Sequence, residues 1–202
     1  MTLLSLRQSA RSAFRQSLKP DSLVRRDNLS AASQDDAIPK PRIRTVAWSD
    51  PAIGVKAARS LSGVEFVSKI MHGEVPTPPV FALIDFRLVK VEPGEVAGQF
   101  EPAEFHYNPA GVVHGGMVCT LLDSVMGLAV LTRLPSGSGF STLEVKVNFV
   151  RPITVKTGTL VAEGAVVHPG SRIATADARL ADPQGKLYAH GTATCIILPN
   201  IS

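Results

Sequence analysis

An acidic residue lies in the middle of an otherwise apolar stretch. Asp123 falls within residues 117–132, MVCTLLDSVMGLAVLT, a pattern that predicts one helix that is apolar nearly all round. An ionised carboxylate in apolar surroundings is costly unless it is paired or hydrogen-bonded. Burial tends to raise the pKa of a carboxyl group towards neutral pH, which makes its carboxylate a stronger base or nucleophile there. Asp123 is therefore a candidate catalytic residue, and an aspartate with a structural role, satisfied by Ser124, Thr142 or backbone amides, is the alternative.

Two glycines stand directly before this helix, in the sequence His114-Gly115-Gly116. The first amides of a helix point outward, with the positive end of the helix dipole behind them. Because glycine has no Cβ, a ligand can approach such amides closely. Gly115 and Gly116 could therefore stabilise an oxyanion, and a tight turn packed against a sheet is the alternative. His114 could be a general base, but we favour a histidine that hydrogen-bonds the neighbouring backbone and shapes the turn.

The glycines and the acid are too far apart to act on one atom from a single helix. The seven or eight residues between them correspond to roughly 10–12 Å along the helix axis. One reacting carbonyl cannot touch both groups at hydrogen-bond distance. If both act on the same atom, Asp123 must come from a second copy of the helix, lying antiparallel across a twofold axis. The spacing therefore predicts a homodimer with two shared active sites.

A curved antiparallel sheet is expected to surround the central helix. A helix that is apolar on every side is buried on every side. Its length of roughly 24 Å matches the width of five or six strands at about 4.8 Å each. Period-two alternation between turn residues predicts these strands. They are a hairpin within 81–106 and strands over 141–150, 159–167, 172–181 and 186–198.

The beginning of the chain differs in composition from the rest. Residues 1–50 hold nine Lys and Arg against five Asp, whereas residues 51–202 hold twelve basic and twelve acidic residues. This balance argues against a nucleic-acid-binding surface on the main domain. We expect an extension over 1–58, at least partly disordered or loosely packed, before a domain over 59–202 that opens with a helix at 59–72. No apolar run is long enough for a membrane span.

The compartment is predicted from the cysteines and from the first residues. Two cysteines far apart in the sequence, without a secretory signal, favour the reducing cytoplasm. Residues 2–18 could form a short helix with several arginines beside an apolar stripe, and they contain no acid. Such a segment is typical of an organelle transit peptide, so the mitochondrial matrix is the alternative location.

The pattern as a whole resembles the hotdog-fold acyl-CoA thioesterases of the phenylacetate-pathway (PaaI-like) group. It consists of N-x-x-G-x-x-H-G-G from Asn108 to Gly116, an acid nine residues after the histidine, and a strand that leads into Arg151-Pro152. The resemblance runs from about residue 60 to residue 198. It implies an α+β hotdog fold, in which a curved antiparallel sheet wraps around one long central helix, here with an extra N-terminal helix.

The resemblance also implies a reaction, the hydrolysis of an acyl-CoA thioester without a metal or cofactor. In such enzymes a glycine amide at the helix start polarises the thioester carbonyl, and an asparagine before the motif orients the carbonyl or the water. The central acid activates water or attacks directly, and a hydroxyl on the next strand orients the acid or the water. The matching residues here are Gly115 with Gly116 beside it, Asn108, Asp123, and either Thr142 or Ser141. An apolar or aromatic acyl group is expected.

Coenzyme A phosphates favour arginine side chains and turn amides. Arg151 and the turn Gly170-Ser171-Arg172 are the candidates for binding them. The expected partners are the acyl-CoA substrate and a second copy of the chain, with dimers paired further into a dimer of dimers.

Other functions fit parts of the pattern. A non-catalytic hotdog module that binds an acyl-CoA-type ligand is the main alternative, because fold does not fix function. The costly acid at Asp123 favours an enzyme. An acyl-CoA hydratase fits less well, because His114 precedes the helix. A nucleophilic pair of Cys119 with His114 is conceivable, but a cysteine that packs as a small apolar residue is the better interpretation.

Overall fold

The structure, a computed structural model, describes residues 41–199 of the 202-residue chain. The helix predicted within residues 2–18 lies outside the described residues. From Thr45 onward the chain forms one compact unit. Its helices are α1 (Pro51–Ala58), α2 (Gly63–Met71), α3 (Pro79–Leu83) and α4 (Gly115–Leu131). Its strands are β1 (Phe86–Glu92), β2 (Glu95–Phe100), β3 (Gly139–Phe149), β4 (Leu160–Pro169), β5 (Ile173–Ala181) and β6 (Leu187–Leu198).

The six strands form one antiparallel sheet in the order β1-β2-β4-β5-β6-β3. Helix α4 contacts every strand of this sheet. Strand β4 approaches the helix closely. A Cβ at Gly164 of β4 would lie only 2.6 Å from the backbone of Val125. The predicted architecture, a curved antiparallel sheet around one long helix, is confirmed.

The central helix is buried along most of its surface but not all round. Its buried side chains include Val118, Leu121, Leu122, Val125, Met126 and Val130. One stripe stays partly accessible, and it contains Gly116, Thr120, Asp123, Ser124, Leu128 and Leu131. The expectation that the helix is buried on every side is therefore wrong for a single copy of the chain, because six strands leave one side of the cylinder uncovered.

The segment before the sheet differs from the prediction at two points. Residues 81–83 were expected to begin a strand, but they lie in α3, where Pro78 and Pro79 fix the backbone for a helix start. Helix α2 begins at Gly63 rather than at residue 59. The carboxylate of Glu65 accepts hydrogen bonds from the backbone N–H and the hydroxyl of Ser62, which closes the first turn and lowers the pKa of Glu65.

Helix α1 was not predicted from the sequence. It begins where Asp50 accepts a hydrogen bond from the N–H of Ala52 and Pro51 occupies the first turn. Within residues 41–199, each helix is too short or too polar to cross a membrane.

Candidate active site

Helix α4 and strand β3 run antiparallel to each other, and three contacts fix their alignment. A Cβ at Gly115 would lie 3.1 Å from the ring of Phe149. The hydroxyl of Thr142 donates a hydrogen bond of 2.9 Å to Oδ1 of Asp123. Further along, a Cβ at Gly127 would lie 2.5 Å from the ring of Phe140. The helix start and the acid therefore lie beside opposite ends of the same strand.

A β-bulge in β3 brings Thr142 to the helix. Simple alternation would place Thr142 on the outer face with Glu144. The register against β6 shifts between Thr142 and Glu144, so that Leu143 becomes the extra residue and is 59% exposed. Because of the bulge, Thr142 lies on the same side as Val145, which packs on the core. The bulge thus supplies the hydroxyl beside the acid, whereas Ser141 remains exposed.

The carboxylate of Asp123 has a buried thiol in its neighbourhood. Cys195 on β6 is the cross-strand partner of Thr142 and is 0% exposed. Burial raises the pKa of the Cys195 thiol, a hydrogen bond with Thr142 opposes this effect, and the negative charge of Asp123 adds to it. Burial therefore favours the protonated, neutral thiol of Cys195 next to Thr142 and Asp123. Sequence analysis did not single out Cys195, and only the β3–β6 register reveals its position.

At the start of α4, the imidazole of His114 caps the helix. Its Nδ1 accepts a hydrogen bond of 2.9 Å from the N–H of Gly116, and its own backbone N–H donates to the carbonyl of His106. The amide of Gly116 is thus engaged within the chain. The N–H of Gly115 has no hydrogen-bond partner among residues 41–199. Of the two glycine amides considered from the sequence, the structure leaves Gly115 as the available donor.

Asn108 lies in the turn that precedes the helix. Its side-chain oxygen accepts hydrogen bonds from the N–H groups of Ala110, at 2.9 Å, and Val112, at 3.4 Å. Gly111 completes the turn with φ 74°, a conformation that favours glycine. With its oxygen engaged in this way, the side chain of Asn108 retains its NH₂ group as a donor.

A cavity of about 380 Å³ joins several of the predicted site residues. Its walls include Asn108, Gly115 and Arg151, together with Phe149 and Tyr188, but not Asp123. The guanidinium group of Arg151 also donates to the carbonyl of Leu187, which holds the arginine at the cavity wall. The walls of this cavity therefore include an amide donor and a cation, but no acid.

The turn between β4 and β5 lies at the other end of the helix. Gly170 and Ser171 line a second cavity of about 390 Å³ together with Arg133 and Pro135, which follow the last turn of α4. Arg172 is exposed, and its carbonyl accepts a hydrogen bond from Ile197. Within one chain, the turn residues and Arg151 are therefore not brought together.

Comparisons with known proteins agree with this architecture. Residues 110–189 match the Thioesterase superfamily. Acyl-coenzyme A thioesterase 13 of Homo sapiens is 30% identical over 109 residues, which cover 53% of this chain and 76% of that protein. The crystal structure of a phenylacetic acid degradation-related protein of Ralstonia eutropha JMP134 has 30% identity and a TM-score of 0.59, covering 64% of this chain and 97% of that one.

A structure from Streptococcus mutans UA159, with acetyl CoA bound, has 26% identity and a TM-score of 0.53, covering 58% of this chain and 91% of that one. The family match extends over the central helix, over β3, β4 and β5, and over the first residues of β6. The chain belongs to the thioesterase superfamily and is a thioester hydrolase of the hotdog fold.

Proposed function

We propose that the protein is an acyl-CoA thioesterase that works as a homodimer with two shared active sites. The observation that carries this proposal is the placement of Asp123–Thr142 and of Gly115 beside opposite ends of strand β3. Two of the related proteins are named for, or contain, coenzyme A thioesters, namely the human acyl-coenzyme A thioesterase 13 and the Streptococcus mutans protein with acetyl CoA.

Strand β3 provides the surface on which a second copy can dock. It pairs with β6 on one side, and no strand among residues 41–199 pairs with its other side. This edge is long and carries exposed apolar side chains, with Leu143 59% and Phe149 56% exposed. Natural proteins rarely leave such an edge uncovered, because it recruits another strand. Pairing with the same strand of a second copy gives a closed twofold dimer.

The alignment of helix and strand then brings the two half-sites together. If the two β3 strands pair antiparallel about an axis beside Lys146, the bulge at Leu143 brings Thr142 opposite Phe149 of the partner subunit, with both side chains on the same face. Asp123 is bonded to Thr142, and Gly115 contacts Phe149. The acid of one copy therefore meets the helix start of the other. The second copy would also cover the accessible stripe of α4. We further propose that such dimers pair into a dimer of dimers.

The chemistry follows from these groups. The N–H of Gly115 donates to the thioester carbonyl oxygen and stabilises the negative charge that develops there. Asp123 takes a proton from water as the water oxygen attacks the carbonyl carbon. The C–S bond then breaks, the thiolate of coenzyme A leaves and is protonated, and a carboxylic acid is released. Direct attack by Asp123, through an anhydride that water hydrolyses, gives the same products. Asn108 orients the carbonyl or the water with its NH₂ group.

Coenzyme A is expected to lie across the two copies. Arg151 lines the same cavity as Gly115, so it can bind a phosphate near the helix start. The turn Gly170-Ser171-Arg172 lies near the last turn of α4. In the proposed dimer, the twofold axis places this end of α4 beside Arg151 of the partner subunit. The acyl group would be apolar or aromatic. Free cysteines at 119 and 195 support a reducing compartment, which we propose is the cytoplasm.

The alternative is a hotdog module that binds an acyl-CoA without cleaving it. The hydrogen bond from Thr142 to Asp123 favours the enzyme, because binding alone does not need an oriented carboxylate. Release of free thiol from a panel of acyl-CoA thioesters distinguishes the two functions.

Replacing Asp123 tests the reaction directly. We expect Asp123→Asn to lower kcat about a hundredfold or more while the protein stays folded, the loss typical of removing a positioned base. Asp177→Asn is the matched control, because Asp177 is an exposed aspartate on the outer face of the sheet. Equal rates for wild type and Asp123→Asn would reject the proposed mechanism. Tight binding of acyl-CoA without thiol release by the wild type would favour the binding module.

A further inference from the structure

An aromatic ring closes the space between helix α4 and strand β3 just beyond the acid. Phe140 precedes Thr142 by two residues on β3, and Gly127 follows Asp123 by one helical turn on α4. The ring of Phe140 lies directly on Gly127, where a Cβ would come within 2.5 Å of it. Any larger residue at position 127 would push the ring away. The glycine therefore makes room for the ring in this position.

Beyond the ring lies unfilled apolar space. A cavity of about 170 Å³ is bounded by Phe140 on one side. Its other walls come mainly from the region of α1 and α2 and from the end of α4, and they are Ala58, Leu61, Gly63, Phe66, Leu131, Ser138 and Gly139. A second cavity of about 330 Å³ lies behind it and shares Ala58 and Phe66 as walls. Ser138 is the one residue with a polar side chain among the walls of the smaller cavity.

We propose that Phe140 sets the length of acyl chain that the enzyme accepts, and that the cavity behind it is a latent subsite for longer chains. This inference rests on the proposed acyl-CoA thioesterase activity. An acyl group attached to a carbonyl beside Asp123 enters the space between α4 and β3 and meets the ring of Phe140. With the ring on Gly127, short acyl groups fit, and the additional methylenes of longer ones find no apolar contact.

The sequence motif around the helix start gives no sign of this subsite, because several of its wall residues lie outside the region that matches the superfamily. Ala58, Leu61, Gly63 and Phe66 all precede residues 110–189, which match the superfamily. Gly115, Asp123 and Thr142 lie within the matched region, whereas these walls of the cavity belong to the segment before it. Chain-length preference would then be determined by a segment outside the matched region, and Phe140 of β3 would separate that segment from the acid.

The test compares kcat/KM for straight-chain acyl-CoA thioesters of increasing length. The wild type should prefer short chains. In Phe140→Ala the cavity becomes continuous with the site, and each newly buried methylene should raise kcat/KM about fourfold. An acyl group two methylenes beyond the wild-type optimum should therefore gain about fifteenfold relative to the short substrates. Phe140→Leu, a smaller change that cores usually tolerate, should give a weaker shift in the same direction.

Refilling the cavity provides the matched control. In the double variant Phe140→Ala with Ala58→Leu, the new side chain occupies the subsite, so the preference should return towards short chains. Ala58→Leu alone should keep the wild-type profile, because Phe140 already closes the cavity. An unshifted profile in folded Phe140→Ala and Phe140→Leu, or a shift that persists in the double variant, would overturn the inference while leaving the thioesterase activity intact. A wild type that hydrolyses no acyl-CoA would overturn both.

Discussion

At the scale of single residues, the Thr142 hydroxyl decides how the carboxylate of Asp123 is oriented. The hydrogen bond between them measures 2.9 Å and joins strand β3 to helix α4. A hydrogen bond to a charged group contributes about 1.5–3 kcal/mol. We expect Thr142→Val, which keeps the shape and removes the hydroxyl, to lower kcat by about tenfold to a hundredfold. Thr142→Ser should retain most of the rate, and steady-state kinetics with KM determined separately checks both variants.

A wild-type kcat in Thr142→Val would show that the hydroxyl does not position the acid. A raised KM with unchanged kcat would instead assign Thr142 to substrate binding alone.

The buried thiol of Cys195 predicts a pH dependence of stability. Because burial raises the pKa of this thiol above its ordinary value of 9.0, folding favours the neutral form. The contribution to stability is complete below pH 9, and it is lost as the pH rises through the folded-state pKa. We expect the free energy of unfolding of the wild type to fall above pH 9 by up to about 1.4 kcal/mol per pH unit more than that of Cys195→Val.

Urea denaturation of the two proteins at pH 7 and pH 10 measures this difference. Parallel losses in wild type and variant would show that Cys195 does not titrate as its burial requires.

At the scale of elements, the start of α4 depends on its histidine cap. His114 occupies the position usually taken by Ser, Thr, Asp or Asn, and its Nδ1 accepts the hydrogen bond from Gly116 that such a residue would accept. Removing a cap costs about 0.5–2 kcal/mol. We therefore expect His114→Ala to lower the free energy of unfolding by about 1 kcal/mol and His114→Asn to restore most of it, as measured by urea denaturation. Equal losses in both variants would argue against capping.

The regular helices and strands could be predicted from the sequence more readily than local irregularities. The alternation of β3, the turn residues and the apolar run of α4 predicted the sheet and the central helix, because burial imposes those periods. The bulge at Leu143 could not be predicted, since it depends on the register of β3 against β6. Without the bulge, alternation assigns Thr142 to the wrong face. The sequence predicted that His114 hydrogen-bonds the neighbouring backbone, but it could not show that the imidazole engages the amide of Gly116.

At the scale of the whole molecule, one chain keeps the proposed amide donor and the proposed acid apart. Gly115, Asn108 and Arg151 share a cavity that lacks an acid, and Asp123 lies elsewhere on the same helix, bonded to Thr142. The open edge of β3 lies between them. The sequence predicted this separation from the helical rise alone. It could not locate the proposed dimer surface, because the position of β3 at the edge of the sheet follows from topology.

Complementation between two inactive variants tests the shared site most directly. Asp123→Asn removes the acid, and Gly115→Pro removes the amide donor at a position where proline fits the first turn of a helix. Each variant alone should be inactive. In a mixed dimer, one of the two sites combines an intact Gly115 from one chain with an intact Asp123 from the other.

The decisive measurement is thiol release by an equal mixture of the two variants, co-expressed or refolded together. Random pairing makes half of the dimers mixed, each with one working site, so the shared-site arrangement predicts about a quarter of wild-type activity. A mixture as inactive as its components would show that each site draws its acid and its amide from a single chain, and would contradict the proposed dimer.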